Sequence, residues 1–209
     1  MRAANRRGDL QRQRLAYEAA RIMAEQGVHD FERARRKAAA RAGVADRRAW
    51  PRNDEIQEAL RQHQRLFDQD GTRQAELGQL YRQASQAMRL FADLEPRLVG
   101  PLLRGTADLG TGIRLHLFAD GPEEVIFILI DRGIPWQECE RILGHSGGRR
   151  QAYPAFRFVA GDIPVELVVL PVRALRHPPL DSVSERPEPG ADLAEVERLA
   201  SGEARRPAE

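Results

Sequence analysis

The chain is short of several things that would narrow its chemistry at once. It has one cysteine, Cys139, in 209 residues, so no internal disulfide forms and no thiolate cluster can hold a metal. Five histidines are scattered without ligand spacing. No apolar run exceeds the six residues 125–130, far below the twenty or so that span a bilayer. The Arg-rich start, residues 1–13, has no apolar segment of the kind a secretory leader requires. These absences predict a cytoplasmic protein without membrane contact. Aromatic residues make up only 6% and lysine is a single residue, Lys37, among 33 basic side chains. What is plentiful is arginine, together with enough apolar residues (42%) to build a core.

Charge is uneven along the chain. Residues 1–50 carry 13 basic and 6 acidic groups, whereas residues 181–209 carry 4 basic and 8 acidic ones. Guanidinium stays charged at any physiological pH and binds oxyanions through two parallel N–H groups. The arginine-rich front is therefore a candidate phosphate or nucleic-acid surface; the other reading, which the composition favours, is a solvated helical surface.

Periodicity divides the chain into a helical front and a β-rich back, an α+β protein. Leu15, Ala19, Ile22 and Met23 follow helical spacing up to Gly27. Asp30 caps a second helix over 31–42, and Asn53 caps a third over 54–67. A longer helix over 72–94 carries Leu77, Leu80, Tyr81, Ala84, Met88 and Phe91. Beyond Pro96 the pattern changes: 98–103, 113–118, 156–159 and 164–170 read as strands, 136–143 as a further strand, and Pro122 starts a helix running to about residue 131. Proline, glycine and acidic residues after His177 predict a disordered tail, with a short amphipathic stretch at 191–200. The expected organisation is a helical region over 1–95, a small mixed sheet with one crossover helix over 96–175, and a tail over 176–209.

Three phrases stand together in the β half: Leu98-Val-Gly-Pro-Leu-Leu-Arg-Gly-Thr-Ala107, then Gly112-Ile-Arg-Leu-His-Leu-Phe118, and later Val165-Glu-Leu-Val-Val-Leu170. Over residues 98–170 this order resembles the nucleotidyltransferase domain of the polymerase-β-like superfamily, in a small bacterial form. In that family a Gly-Ser turn holds a triphosphate by backbone N–H groups, the next strand bears two carboxylates two residues apart, and a later strand bears a third. Residues two apart on a strand face the same way, so the carboxylates converge on Mg²⁺. The resemblance implies that Gly105 and Thr106 hold the phosphates and that Glu166 is the surviving metal ligand and catalytic carboxylate. Gly112 and Arg114 stand at the other two carboxylate positions, so the metal motif is degenerate and transfer is weak or lost.

Two roles are open to Arg114. It can pair with Glu166 and fill the vacated metal site, or it can bind phosphate directly with Arg104 and His116, without a metal. Asp108 and Asp120 are the nearest acids that could substitute. The Gly-rich stretch 144–150 is either an anion cradle or an ordinary hairpin loop, and Trp50 and Trp136 read as packing anchors. From another class, residues 15–44 are similar to the opening of a tetracycline-repressor-like helix-turn-helix. That likeness implies DNA binding, but Pro51 interrupts the segment where a recognition helix belongs. A third reading is a non-catalytic scaffold that keeps its fold to bind a partner.

Overall fold

The computed structural model describes residues 2–67 and 71–202, and divides the chain into two compact units. The first comprises residues 1–70 with 182–184; the second comprises 71–181 and 185–209.

In the first unit, α1 (Arg2–Gln26) packs against α2 (Phe31–Arg41) and α3 (Asn53–Phe67). Leu15, Ala19, Ile22, Ala34, Ala38, Ile56 and Leu60 form its core, and the alanines let the helices approach closely. Gly27 ends α1 with φ +60°, and the Asp30 carboxylate accepts the Arg33 N–H at the start of α2. After Gly43 and Val44, where the repressor likeness needs a recognition helix, the chain makes only a three-residue 3-10 turn, Arg47–Ala49. Trp50 then donates its indole N–H to Val44 O at 3.1 Å, so it anchors the turn.

The second unit begins with α4 (Thr72–Leu90), which the sequence reading grouped with the helical front. The boundary falls at 70/71 rather than 95/96 because α4 buries Leu80, Ala84 and Met88 in the same core as the sheet. The strands are β1 (Arg97–Val99), β2 (Ile113–Phe118), β3 (Gln137–Gly144), β4 (Arg150–Ala160) and β5 (Ile163–Leu170); α5 (Glu123–Asp131) follows β2. Their order in the sheet is β1-β2-β5-β4-β3, with β2 and β5 parallel and the other pairs antiparallel. The segment expected as a strand over 98–103 pairs only at 97–99 and then turns at Gly100 and Pro101. Conversely β4 runs well beyond 156–159, because β3 supplies a hairpin partner along its length.

Ile113, Leu115 and Leu117 alternate onto one face with Val165, Leu167 and Val169, where they meet α4 and Val125 and Leu129 of α5. The opposite face is divided. Phe118, Tyr153, Ala155, Val168 and Leu170 form an apolar patch under the 3-10 turn Val172–Leu175. The remainder bears charged side chains.

Residues 177–202, expected to be disordered, are folded. Leu180 pairs with Gly144 in β3, and Ala191 pairs with Leu98 in β1, so the segment meets both edge strands of the sheet. The amphipathic stretch forms α6 (Leu193–Ala200), which packs on α4 with Val196 fully buried and an Arg89–Glu197 ion pair of 2.6 Å. Backbone pairing and this apolar stripe outweigh a composition that otherwise favours disorder. The end of the expected tail, 203–209, lies outside the described residues.

Candidate functional site

The charged part of the sheet face is built by register. Arg114 on β2 and Arg157 on β4 are both cross-strand neighbours of Glu166 on β5. Glu166 is 8% exposed, and its two oxygens are taken up by arginine. Arg157 donates from Nε at 3.0 Å and Nη2 at 2.7 Å to Oε1; Arg114 donates from Nε at 2.5 Å to Oε2. A third guanidinium, that of Arg141 on β3, lies 3.7 Å from Oε2. Burial by itself would raise the Glu166 pKa. The charges of Arg114 and Arg141 and the hydrogen bonds from Arg157 and Arg114 outweigh it and hold the carboxyl at about 2.

The pairing of Arg114 with Glu166 is the first of the two roles open to Arg114. Its guanidinium also lies against Gly100, where an added Cβ would stand 3.2 Å from Nη1. His116, two residues along the same face, is 4% exposed. Burial, then the positive charges of Arg114 and Arg141, push its pKa down to about 3, against the pull of Glu166. It is therefore a neutral imidazole inside the domain and offers neither charge nor access to a phosphate.

Gly105 and Thr106 lie in the turn that follows β1, but their amides are spent within it. Gly105 N–H donates to Leu102 O at 2.9 Å, Thr106 N–H to Pro101 O at 3.0 Å, and Arg104 N–H to Gly100 O at 3.1 Å. Arg73 clamps the turn from outside by donating to Gly105 O and Ala107 O. Gly100 N–H, at the start of the turn, donates to Glu188 Oε1 at 3.2 Å. Arg104 bonds Asp181 and lies 3.6 Å from Glu188. Burial, then the neighbouring Asp181 carboxylate, raise the Glu188 pKa, opposed by Arg104, the Gly100 N–H and Arg114. Two acids of the folded segment after β5 thus occupy the space beside the turn where the resemblance expects phosphate.

The substitute acids do not join this group. Asp108 accepts from the N–H and hydroxyl of Thr111 at 2.6 and 2.7 Å, which closes a local turn. The backbone N–H of Asp120 donates to Glu124 at the start of α5. The first carboxylate position is closed as well as empty of a ligand. Gly112 has φ +68°, and a Cβ there would stand 2.1 Å from Pro164 O.

Mg²⁺ does not fit these residues. One carboxylate whose lone pairs already accept from guanidinium groups, inside a cluster of positive charge, is no donor set for a hard divalent cation. Among the described residues no three His, Cys, Asp or Glu side chains come together in a way that could hold a metal. No helix among them is long and apolar enough to cross a membrane.

The sequence reading found Arg114 and Glu166 but missed Arg141, Arg157, Asp181 and Glu188. A signal for Arg157 was present: it is a charged residue in the alternation Phe156-Arg-Phe-Val, on a strand beside β5. For Asp181 and Glu188 there was none, because their segment read as disorder. No family model and no curated protein sequence matches this chain.

Proposed function

We propose that this chain is a nucleotidyltransferase-like protein that binds a nucleotide or another phosphate-bearing ligand without metal-dependent transfer. The observation that carries the reading is the caged Glu166. The resemblance expects facing carboxylates on two neighbouring strands. Residues 114 and 166 do face each other on parallel β2 and β5, but one is arginine and the pair is closed. Phosphoryl and nucleotidyl transfer depend chiefly on metal ions to offset charge on the moving group. With a guanidinium in the metal's place, the face holds itself together and leaves chemistry aside. Its role is to keep the sheet in shape while arginines elsewhere in the domain take the ligand.

Calorimetric titration of ATP and GTP into the full chain, in Mg²⁺ and in EDTA, tests this. The expected result is binding at equal affinity in both buffers, with no nucleotide transfer to protein or small acceptors. Binding that requires Mg²⁺ and disappears in Glu166→Gln would overturn it. A duplex DNA titration run beside it checks the basic first unit. Affinity for DNA that falls steeply with salt, in the absence of any nucleotide affinity, would replace this reading with a phosphate-backbone binder.

A further inference from the structure

The second unit contains an open cleft of about 530 Å³ that the sheet-face cluster does not use. It lies between residues that flank two short turns. One is the Gly-rich 3-10 turn Ser146–Gly148 between β3 and β4, whose neighbours His145, Arg149 and Arg150 line the cleft; the other is Val172–Leu175, directly after β5, which contributes Arg173 and Ala174. His145, Arg149, Arg150, Tyr153, Arg173 and His177 bring their side chains to it, and no acidic residue lines it.

Arginines in this fold normally come with a carboxylate. Arg104, Arg114, Arg141 and Arg157 all lie within 4 Å of one. Arg149, Arg150 and Arg173 are exposed and form neither an ion pair nor a side-chain hydrogen bond among the described residues. Three unmatched guanidinium groups around one concavity repel one another, and their field is concentrated by the protein wall behind them. An anion bound among them would offset that repulsion. The lining also has a fixed polar element: Tyr153, 6% exposed, shares a 2.8 Å hydrogen bond between its hydroxyl and His145 Nε2, the imidazole tautomer deciding which of the two donates. The buried phenol holds one lining imidazole in place.

We infer that this cleft binds the oligophosphate group of a small phosphorylated ligand, directly through arginine and without a metal. It names the place and ligand class of the binding role proposed above, and rests on that reading only for the nucleoside attached to the group. Guanidinium forks match phosphate oxygens in pairs, so three of them suit a chain of phosphates better than one orthophosphate. The volume falls in the range of small-molecule sites and exceeds what a single phosphate fills. With no carboxylate in the lining, nothing there recruits Mg²⁺, and arginine provides the charge neutralisation.

The test is calorimetry on the full chain in EDTA with three probes, ATP, inorganic tripolyphosphate and AMP, for wild type, the double variant Arg149→Ala/Arg173→Ala, and Arg104→Ala. The two cleft arginines are exposed, so the double variant is expected to keep its unliganded melting temperature. Tripolyphosphate is expected to bind wild type at least tenfold more tightly than AMP, and to lose at least tenfold in the double variant while Arg104→Ala leaves it unchanged. ATP binding more tightly than tripolyphosphate identifies a nucleotide as the source. Tripolyphosphate bound through the cleft with no affinity for ATP keeps this inference and overturns the nucleotide reading. ATP bound with equal affinity by wild type and the double variant overturns this inference and leaves that reading standing. Failure of all three probes to bind overturns both.

Discussion

Two groups of arginines in one domain make opposite use of the same side chain. On the sheet face, Arg114, Arg141 and Arg157 surround Glu166, and beside them Arg104 meets Asp181 and Glu188. Every guanidinium there lies within 4 Å of a carboxylate, Glu166 is buried, and both of its oxygens already accept from arginine. At the cleft, Arg149, Arg150 and Arg173 stand in solvent with no acid among the lining residues. The first arrangement answers the cost of burying a charge, which is large unless the charge is paired. The second leaves charges unmatched where water solvates them at little cost, and an anionic ligand would offset their mutual repulsion. Arginine content therefore says nothing about ligand binding until the positions of the carboxylates are known.

Four experiments break or sharpen this contrast, beginning with the largest effect. Restoring the first lost carboxylate by Gly112→Asp is expected to destabilise the second unit by more than about 4 kcal/mol, because a side chain at φ +68° must displace Pro164 O. Denaturant titration followed by circular dichroism measures this. A folded, Mg²⁺-binding Gly112→Asp/Arg114→Asp variant would show that the closed site is only a local substitution.

Next comes the cage itself. Removing the central acid by Glu166→Ala leaves three guanidinium groups facing one another and is expected to cost roughly 3–5 kcal/mol. Arg114→Ala, which leaves Glu166 two other arginines, is expected to cost about 2 kcal/mol. Arg157, whose side chain is 53% exposed, belongs with surface pairs, at about 1 kcal/mol or less. Equal losses for Arg114→Ala and Arg157→Ala would mean that burial does not order the cage.

Acid should act on the face in two stages. His116 has its folded pKa lowered to about 3 from an ordinary 6.5, so below 6.5 the unfolded chain takes up a proton that the folded chain refuses. Stability contributed by the neutral imidazole falls progressively from pH 6.5 towards 3. Glu166, lowered to about 2 from 4.5, contributes stability that is present above 4.5 and is lost as pH falls towards 2. Urea unfolding at a series of pH values should show a slope between 6.5 and 4.5 that flattens in His116→Gln, and a lower limb that flattens in Glu166→Gln. The smallest expected effect is that of Arg173→Ala, within about 0.5 kcal/mol of wild type in thermal melts, as befits an exposed cation with no ion pair among the described residues.

Much of the architecture was readable along the chain. Capping residues and apolar spacing placed α2, α3 and α5 to within a residue or two, and branched residues between turns placed β2 and β5 almost to their ends. The pairing of Arg114 with Glu166 was legible too, since each lies on a period-two strand and the resemblance set the strands side by side. Elsewhere composition misled. Five prolines and an acidic excess after residue 176 read as disorder, yet Ala191 and Val196 are fully buried and the backbone pairs with both sheet edges. The triphosphate turn misled for a different reason. Gly105 and Thr106 are in place, but a turn's amides hold phosphate only when they point outward, and here they close on Leu102 and Pro101.

The sequence by itself determined most of the helices and strands, the left-handed positions given to glycine, and the absence of a carboxylate at positions 112 and 114. Those follow from local conformational preference and from which side chains exist at all. Only the tertiary structure decided which charges meet. Strand order brought Arg157 and Arg141 to Glu166, the segment after β5 carried Asp181 and Glu188 to Arg104, and two turns far apart in sequence gathered Arg149, Arg150 and Arg173 around one cleft. Electrostatic partnership depends on distances of a few ångströms between residues distant along the chain, and such distances are set by packing.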